Sequence, residues 1–557
     1  MITNKIYSLI MIKTSMMLTL MFFMFSKFNL KLILEWNMIK FLSLNFNMNF
    51  TFDSYSLIFS SSILIISSSI MLYSYYYMNH NKKKNMFFKL IMMFIMFMLI
   101  VIHSSNMISM IMGWEGLGMI SFILIMFYQN KKSLMMSIST MMNNRIGDIM
   151  MILSIIMMMN FNSWSFMNHK FNMMIIFMIL ISAFSKSAQI PFSSWLTDAM
   201  AAPTPISALV HSSTLVTAGI FLLIRFKYSI FMMKEMKNII FIMSLMTLFM
   251  ASMNSIIEWD IKKIIALSTL SQMSIMFISI SMNFYNLAFF HLITHAMFKS
   301  LIFLCASSYI NIYNNQNIKF MGNYNYNMNF NNISFNIANL SLCGMPYLSG
   351  FYSKDLIIEM MMINKFNILM LIIFMKCMLI TMFYSFKMMI FINIKKDKKQ
   401  MIMFKENMYQ KISKSMILIF TIMNGNWMNW ILIPNNQIFN LPLKMKLLPI
   451  IMMIINFILI YKLMIKKNMN NYMKNKKIIM MINYMMFMKN FSINLKNKNY
   501  KINILNFKNS EKGMMEFFIN KNLKNFSNLS IFNKKILNMK LMMMIMNIIM
   551  IMILINI

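Results

Sequence analysis

His291-Leu292-Ile293-Thr294-His295-Ala296-Met297-Phe298-Lys299 lies inside an apolar stretch running from 284 to 310. About 20 helical residues cross the roughly 30 Å of a bilayer's hydrocarbon, so the stretch is long enough to span. The two histidines and the lysine are spaced by four, which stacks them on one face of that helix. A charge near the bilayer centre costs roughly 3 kcal/mol on insertion scales. Titratable side chains held at such a cost point to function.

The same pattern extends outward. Apolar runs occupy 6–25, 53–77, 86–104, 106–128, 134–159, 171–187, 205–226, 238–257, 263–281, 331–350, 354–374, 376–394, 412–433, 447–464 and 539–557. They predict an all-α polytopic membrane protein with about 14–16 transmembrane helices. Composition agrees: 59% of the residues are hydrophobic and 12% charged, and mean hydropathy is +0.63. A soluble chain carries roughly 25% charged residues, so a soluble globule is excluded. Between 466 and 533 Lys and Asn alternate with apolar residues, which predicts a surface-lying amphipathic arm ending in an anchor.

The formal charge of +38 raises the question of nucleic acid. Of the 52 bases, 26 follow Ile390. No helix-turn-helix, zinc finger or aromatic RNA-binding signature accompanies them, so no nucleic-acid partner is expected. Anionic lipid headgroups are the plainer counterpart. Cys305, Cys343 and Cys377 stand singly, without metal or disulfide spacing, so no redox cluster, haem or zinc is expected. The chain opens on an apolar run with neither a cleavage site nor an Arg/Ser-rich transit peptide. Its 83 Met, and its abundant Asn, Ile, Lys, Phe and Tyr, are what AT-rich codons specify. That predicts synthesis from a mitochondrial genome. Met then often stands where Leu would, so Met-rich faces do not imply a metal.

The chemistry sits in the ionisable residues within the runs. Glu115 lies in Gly113-Trp114-Glu115-Gly116-Leu117-Gly118; Arg145 and Asp148, three apart, can pair on one helix face. Lys186 ends a mostly apolar run, and Pro191 should break the helix just after it. A second break, at Gly344-Met345-Pro346, precedes Lys354 and Asp355, while His211 lies in the run from 205. Two interrupted helices, each with a lysine, suggest the broken elements of an inverted-repeat transporter. In a dry setting the charged forms of lysine and carboxylate are both disfavoured, so their proton affinities converge on that of histidine. Such a set suits proton transfer.

Blander readings stand beside these. Lys186 can snorkel; Arg145–Asp148 can be a structural ion pair; His211 can be a packing histidine. His291 and His295 have the spacing of a zinc pair but no third ligand nearby. The glycines around Glu115 suit close helix packing better than phosphate binding. His80, His103 and His169 lie near segment ends and receive no role.

Three of these motifs resemble the antiporter-like membrane subunits of respiratory complex I: Gly113–Gly118, Asn144-Arg145-Ile146-Gly147-Asp148 and Lys186-Ser187-Ala188-Gln189. So do the longer blocks Ala199–Gly219, Asp260–Gln272 and His291–Lys299. One departure is Ala201-Ala202, where members of the family often carry Glu-Gly. The resemblance implies a proton-pumping subunit with two inverted five-helix repeats, two discontinuous helices and a lateral helix. It divides the chain into N-terminal helices (1–105), a first repeat for proton uptake (106–257) and a second for proton exit (258–394). C-terminal helices (395–465), the lateral arm (466–538) and the anchor (539–557) follow. Carried over residue by residue, Glu115 and Lys186 form a coupled pair with Asp148 beside it. His211, Lys262, His291, His295 and Lys299 line the central connection, and Lys354 with Asp355 form the exit site. NADH, FMN, iron–sulfur clusters and ubiquinone would belong to other subunits, and the neighbouring antiporter-like subunit would be the main partner. The alternative is the large subunit of a freestanding cation/proton antiporter.

Overall fold

A computed structural model describes residues 2–41, 44–79, 81–161, 164–165, 171–322, 329–363, 367–393, 406–432 and 442–465. The expected lateral arm and terminal anchor lie outside the described residues, as do His80 and His169. The first helices are α1 (Ile2–Phe28), α2 (Ser54–Tyr77), α3 (Lys84–His103), α4 (Met107–Ile125), α5 (Lys131–Met158) and α6 (Met173–Lys186). Two short pieces follow, α7 (Ser194–Asp198) and α8 (Thr204–Ile206), then α9 (Leu215–Arg225), α10 (Lys227–Met232) and α11 (Lys234–Ile257). The second half holds α12 (Ile261–Ser281), α13 (Tyr285–Tyr313), α14 (Asn329–Cys343), α15 (Leu356–Ile363), α16 (Ile368–Asn393), α17 (Met408–Leu432) and α18 (Leu443–Ile465).

The chain is a multi-pass helical membrane protein. Among the described residues ten helices are long and apolar enough to cross a bilayer, and Met173–Lys186 and Met445–Ile460 are shorter apolar helices. Burial sorts them into layers. The most apolar stretches of Thr204–Arg225, Ile261–Ser281 and Tyr285–Tyr313 are wholly buried, whereas only 22% of the corresponding stretch of Lys5–Phe28 is buried. The central helices pack on protein all round, and the outer ones turn apolar faces outward to lipid. The site residues ride on the central ones.

Three boundaries differ from the sequence expectation. The run 171–187 gives a helix of only 14 residues, Met173–Lys186, which starts two residues late and stops at the expected break. The runs 354–374 and 376–394 divide elsewhere: α15 ends at Ile363 and α16 runs unbroken from Ile368. Lys376, at the boundary the sequence suggested, is exposed on a continuing helix. An antiparallel hairpin, β1 (Leu32–Phe41) and β2 (Leu44–Phe52), also joins α1 to α2. Residues 44–52 alternate Leu-Asn-Phe-Asn-Met-Asn-Phe-Thr-Phe, the period-two pattern of a strand.

Both expected breaks are present. After α6 the chain leaves helical geometry until Ser194, and after α14 Gly344 turns with φ +91° before the helix resumes at Phe351. Positive φ at Gly344 is cheap because glycine has no Cβ. Wide π-helical turns cover Ser207–Thr214 and Phe351–Asp355.

A candidate proton-transfer site

The first cluster forms where α4, α5 and α6 meet. The small residues set the distances: a Cβ on Gly118 would stand 3.1 Å from Lys186 Nζ, and one on Gly147 would overlap Ser185 Oγ. The fully buried Lys186 donates to the carbonyl of Trp114 at 3.0 Å and lies 5.3 Å from the centre of its ring. Asp148, Arg145 and Glu115 are within electrostatic range of it. Arg145 and Asp148 approach to 3.8 Å, the arginine 37% exposed and the aspartate buried. A cavity of about 230 Å³ between α4 and α5 is bounded by Glu115, Gly118, Asn144, Arg145 and Asp148. Asp148 Oδ1 and both amide atoms of Asn144 are buried there without a hydrogen-bond partner in the protein. Such atoms are rare and mark places where water or a proton carrier fits.

Two residues stand between the clusters. His211 occupies the π-helical turn, fully buried, with its ring 6.2 Å from that of Trp195 and neither nitrogen hydrogen-bonded. Lys262, in the first turn of α12, donates to the carbonyl of Ala202 at 3.3 Å. That contact falls on Ala201-Ala202, one of the departures noted in the sequence.

The second cluster lies on α13. His291, His295 and Lys299 share a face as their spacing requires, and all three are buried. Lys299 donates to Ser268 Oγ of α12. The rings of His291 and His295 are 6.4 Å apart, and His295 has no hydrogen-bond partner. His291 bonds Ser353 Oγ through Nδ1 at 2.9 Å and Gln272 Oε1 through Nε2 at 3.1 Å. Ser353 sits in the second π-helical turn, next to Lys354, which donates to Thr381 Oγ1 at 3.0 Å and to the carbonyl of Leu342 at 3.2 Å. That last carbonyl is near the end of α14, where the helix break leaves it unsatisfied. Asp355 faces Gly344, where a Cβ would stand 3.0 Å from its Oδ1. Lys354 and Lys299 are both within electrostatic range of His291. Among the described residues no three His, Cys, Asp or Glu side chains converge as metal ligands.

Three further sites hold buried charges to which the sequence reading gave no role. Arg225 and Asp53 form a two-pronged pair, 2.5 and 3.2 Å, at one end of the bundle. Lys387 donates to the carbonyls of Ile256 and Glu258, capping α11, and lies 4.2 Å from the ring centre of Trp259. Lys414 and Glu406 form a fully buried pair. Arg225, Lys387 and Lys414 all lie inside apolar runs, so each was legible in the sequence as a charge within a span.

A multi-pass helical bundle with two broken helices, and with lysines, histidines and carboxylates on its wholly buried spans, defines the antiporter-like class of membrane subunits. Comparison with known proteins agrees. Residues 104–381 match the family model described as NADH:quinone oxidoreductase/Mrp antiporter, and residues 36–88 match that of the complex I chain 5 N-terminus. NADH-ubiquinone oxidoreductase chain 5 of Anopheles gambiae is 38% identical over 94% of this chain and 93% of its own. Its counterpart in Locusta migratoria is 43% identical over 64% of each chain. The chain belongs to the NADH-ubiquinone oxidoreductase chain 5 family. Among solved structures, a chain of the Mrp complex from Dietzia sp. superposes with a TM-score of 0.74 at 18% identity. That match covers 88% of this chain and 57% of the other. A chain of an archaeal membrane-bound sulfane sulfur reductase gives 0.61 at 19%, covering 71% of this chain and 68% of its own.

Proposed function

We propose that this chain is the proton-translocating membrane subunit of a respiratory NADH:ubiquinone oxidoreductase in the mitochondrial inner membrane. Electron transfer occurs in other subunits, which hold the NADH, flavin, cluster and quinone sites, and this chain carries no redox centre. The observation that carries the reading is the fully buried His291–His295–Lys299 stripe on α13, met by Lys354 across Ser353. Buried charge of this kind costs several kcal/mol per ion unless compensated, and a chain with no use for it would lose it.

Glu115 and Lys186, with Asp148 and Arg145, load a proton in the first repeat (106–257). His211 and Lys262 carry it across; His291, His295 and Lys299 receive it; Lys354 and Asp355 release it from the second repeat (258–394). Arg145–Asp148 also serves as the ion pair that holds the uptake cluster together. The partners are the other membrane-arm subunits, the neighbouring antiporter-like subunit first, with anionic lipids along the basic C-terminal third.

The likeness to a chain of the Mrp complex supports one other reading, a freestanding cation/proton antiporter. Purification in mild detergent separates them. A large assembly that oxidises NADH and pumps protons is the expected result; a small assembly that exchanges Na⁺ for protons would overturn it.

A further inference from the structure

The Lys414–Glu406 pair lies outside the two clusters above. Lys414, in the second turn of α17, is fully buried, and its three donor positions are filled by Glu406 Oε1, Asn331 Oδ1 at 2.8 Å and Ser308 Oγ at 3.2 Å. Glu406 Oε2 is equally buried and has no hydrogen-bond partner among the described residues. The ammonium stands 5.8 Å from the ring centre of Tyr73, whose hydroxyl pairs with Ser307. A saturated cation beside a carboxylate with one idle oxygen is an asymmetric pair. The cation is held, and the carboxylate keeps a site for a proton.

Its place in the bundle is specific. The pair sits where α17 and α14 begin and α2 and α13 end, so it is close to one membrane face. The segments at that face carry Lys82, Lys83, Lys84, Lys131 and Lys132, and in sequence Lys395, Lys396, Lys398 and Lys399 immediately precede α17. Ser307 continues the stripe of His291, His295 and Lys299 along α13, eight residues beyond Lys299, or about 12 Å at 1.5 Å per residue. Phe303 is the side chain of that stripe that stands between them.

We infer that Glu406 and Lys414 form a proton-loading site at the lysine-rich face that feeds Lys299 directly, without passage through Glu115 and Lys186. A proton bound at Oε2 makes the neutral acid. It leaves as that O–H bond breaks toward the Tyr73–Ser307 hydroxyl pair, which passes a proton on as it accepts one. The carboxylate–ammonium pair is thereby restored. Phe303 separates this branch from Lys299, so transfer needs that ring to turn aside. The inference rests on the proton-translocating reading of the chain.

The test is proton translocation per NADH oxidised, across a pH range, by assembled complex in inner-membrane vesicles. Glu406→Gln preserves shape and an acceptor for Lys414 but removes the proton site. Glu406→Gln with Lys414→Met also removes the unpaired charge that could disturb folding. Lys414, Tyr73 and Cys305 are the titratable groups that face Glu406 from α17, α2 and α13. Both variants should assemble and translocate fewer protons per NADH than wild type, and the deficit should deepen as pH rises and protons become scarce. Wild-type translocation and pH profile in the assembled double variant would overturn the inference and leave the pair a tie between helices. Lys299→Met, measured alongside, separates the cases: if it abolishes translocation while the double variant does not, the branch fails and the proton-pumping reading stands.

Discussion

Lys186 reaches from the last residue of α6 to the carbonyl of Trp114, so the lysine is bonded to the residue next to Glu115 rather than to its carboxylate. The two titratable groups therefore communicate through the field, with Asp148 in the same range, and Glu115 and Asp148 share the cavity beside α5. The arrangement lets the proton occupancy of one bias the other without locking them into an ion pair.

Glu115→Gln removes the charge that favours protonated Lys186 and keeps the volume. Proton translocation should fall markedly in an assembled complex, while α4 stays inserted because its backbone bonds are its own. The measurement is translocation per NADH in vesicles. Unchanged pumping would reduce Glu115 to a packing residue at the rim of its cavity.

Arg225 and Asp53 offer a test of stability apart from function. Removing one partner of a buried ion pair leaves an uncompensated charge and costs about 3–5 kcal/mol. Arg225→Met should therefore lower the thermal stability or yield of the assembled chain strongly. Arg225→Met with Asp53→Asn should recover much of it. Burial works against the Asp53 carboxylate, but the Arg225 guanidinium and the Ser56 N–H overcome it and hold the carboxyl below its usual range. A folded value depressed in this way makes the contribution complete above the ordinary carboxylate value of 3.8. It is lost only as pH falls through the lower folded value. Thermal stability should be insensitive to this pair between about pH 5 and 8, and a large change there would contradict the assignment.

How far the sequence alone foretells this site depends on distance along the chain. The stripe at 291, 295 and 299 follows from spacing, and the stop after Lys186 follows from Pro191, since both are local. The π-helical turns at Ser207–Thr214 and Phe351–Asp355 have no residue signature, because they arise where neighbouring helices pack. Arg225 and Asp53 are 172 residues apart, a pairing no local pattern encodes. The hairpin was visible in the strict alternation of residues 44–52, which a search for long apolar runs passes over.

Gly219→Ala tests how tightly the uptake cluster is held. A Cβ there would stand 2.5 Å from the carbonyl oxygen of Ala183, a backbone atom that cannot turn away. Overpacking of this kind costs about 1–3 kcal/mol and moves the neighbouring helix. That carbonyl accepts the backbone N–H of Ser187, which ends the helix next to Lys186. The variant should assemble with reduced stability, and its translocation should fall further than its NADH oxidation. Equal losses in both would mean that only the fold had suffered.

The central claim is that the buried stripe on α13 carries protons. Lys299→Met keeps the length of the side chain, makes the helix cheaper to insert and removes the group that donates to Ser268. Translocation per NADH oxidised, measured in vesicles holding fully assembled variant complex, is the direct test. Proton movement should be lost or severely reduced while the complex remains intact. Wild-type pumping by the intact Lys299→Met complex would contradict the account.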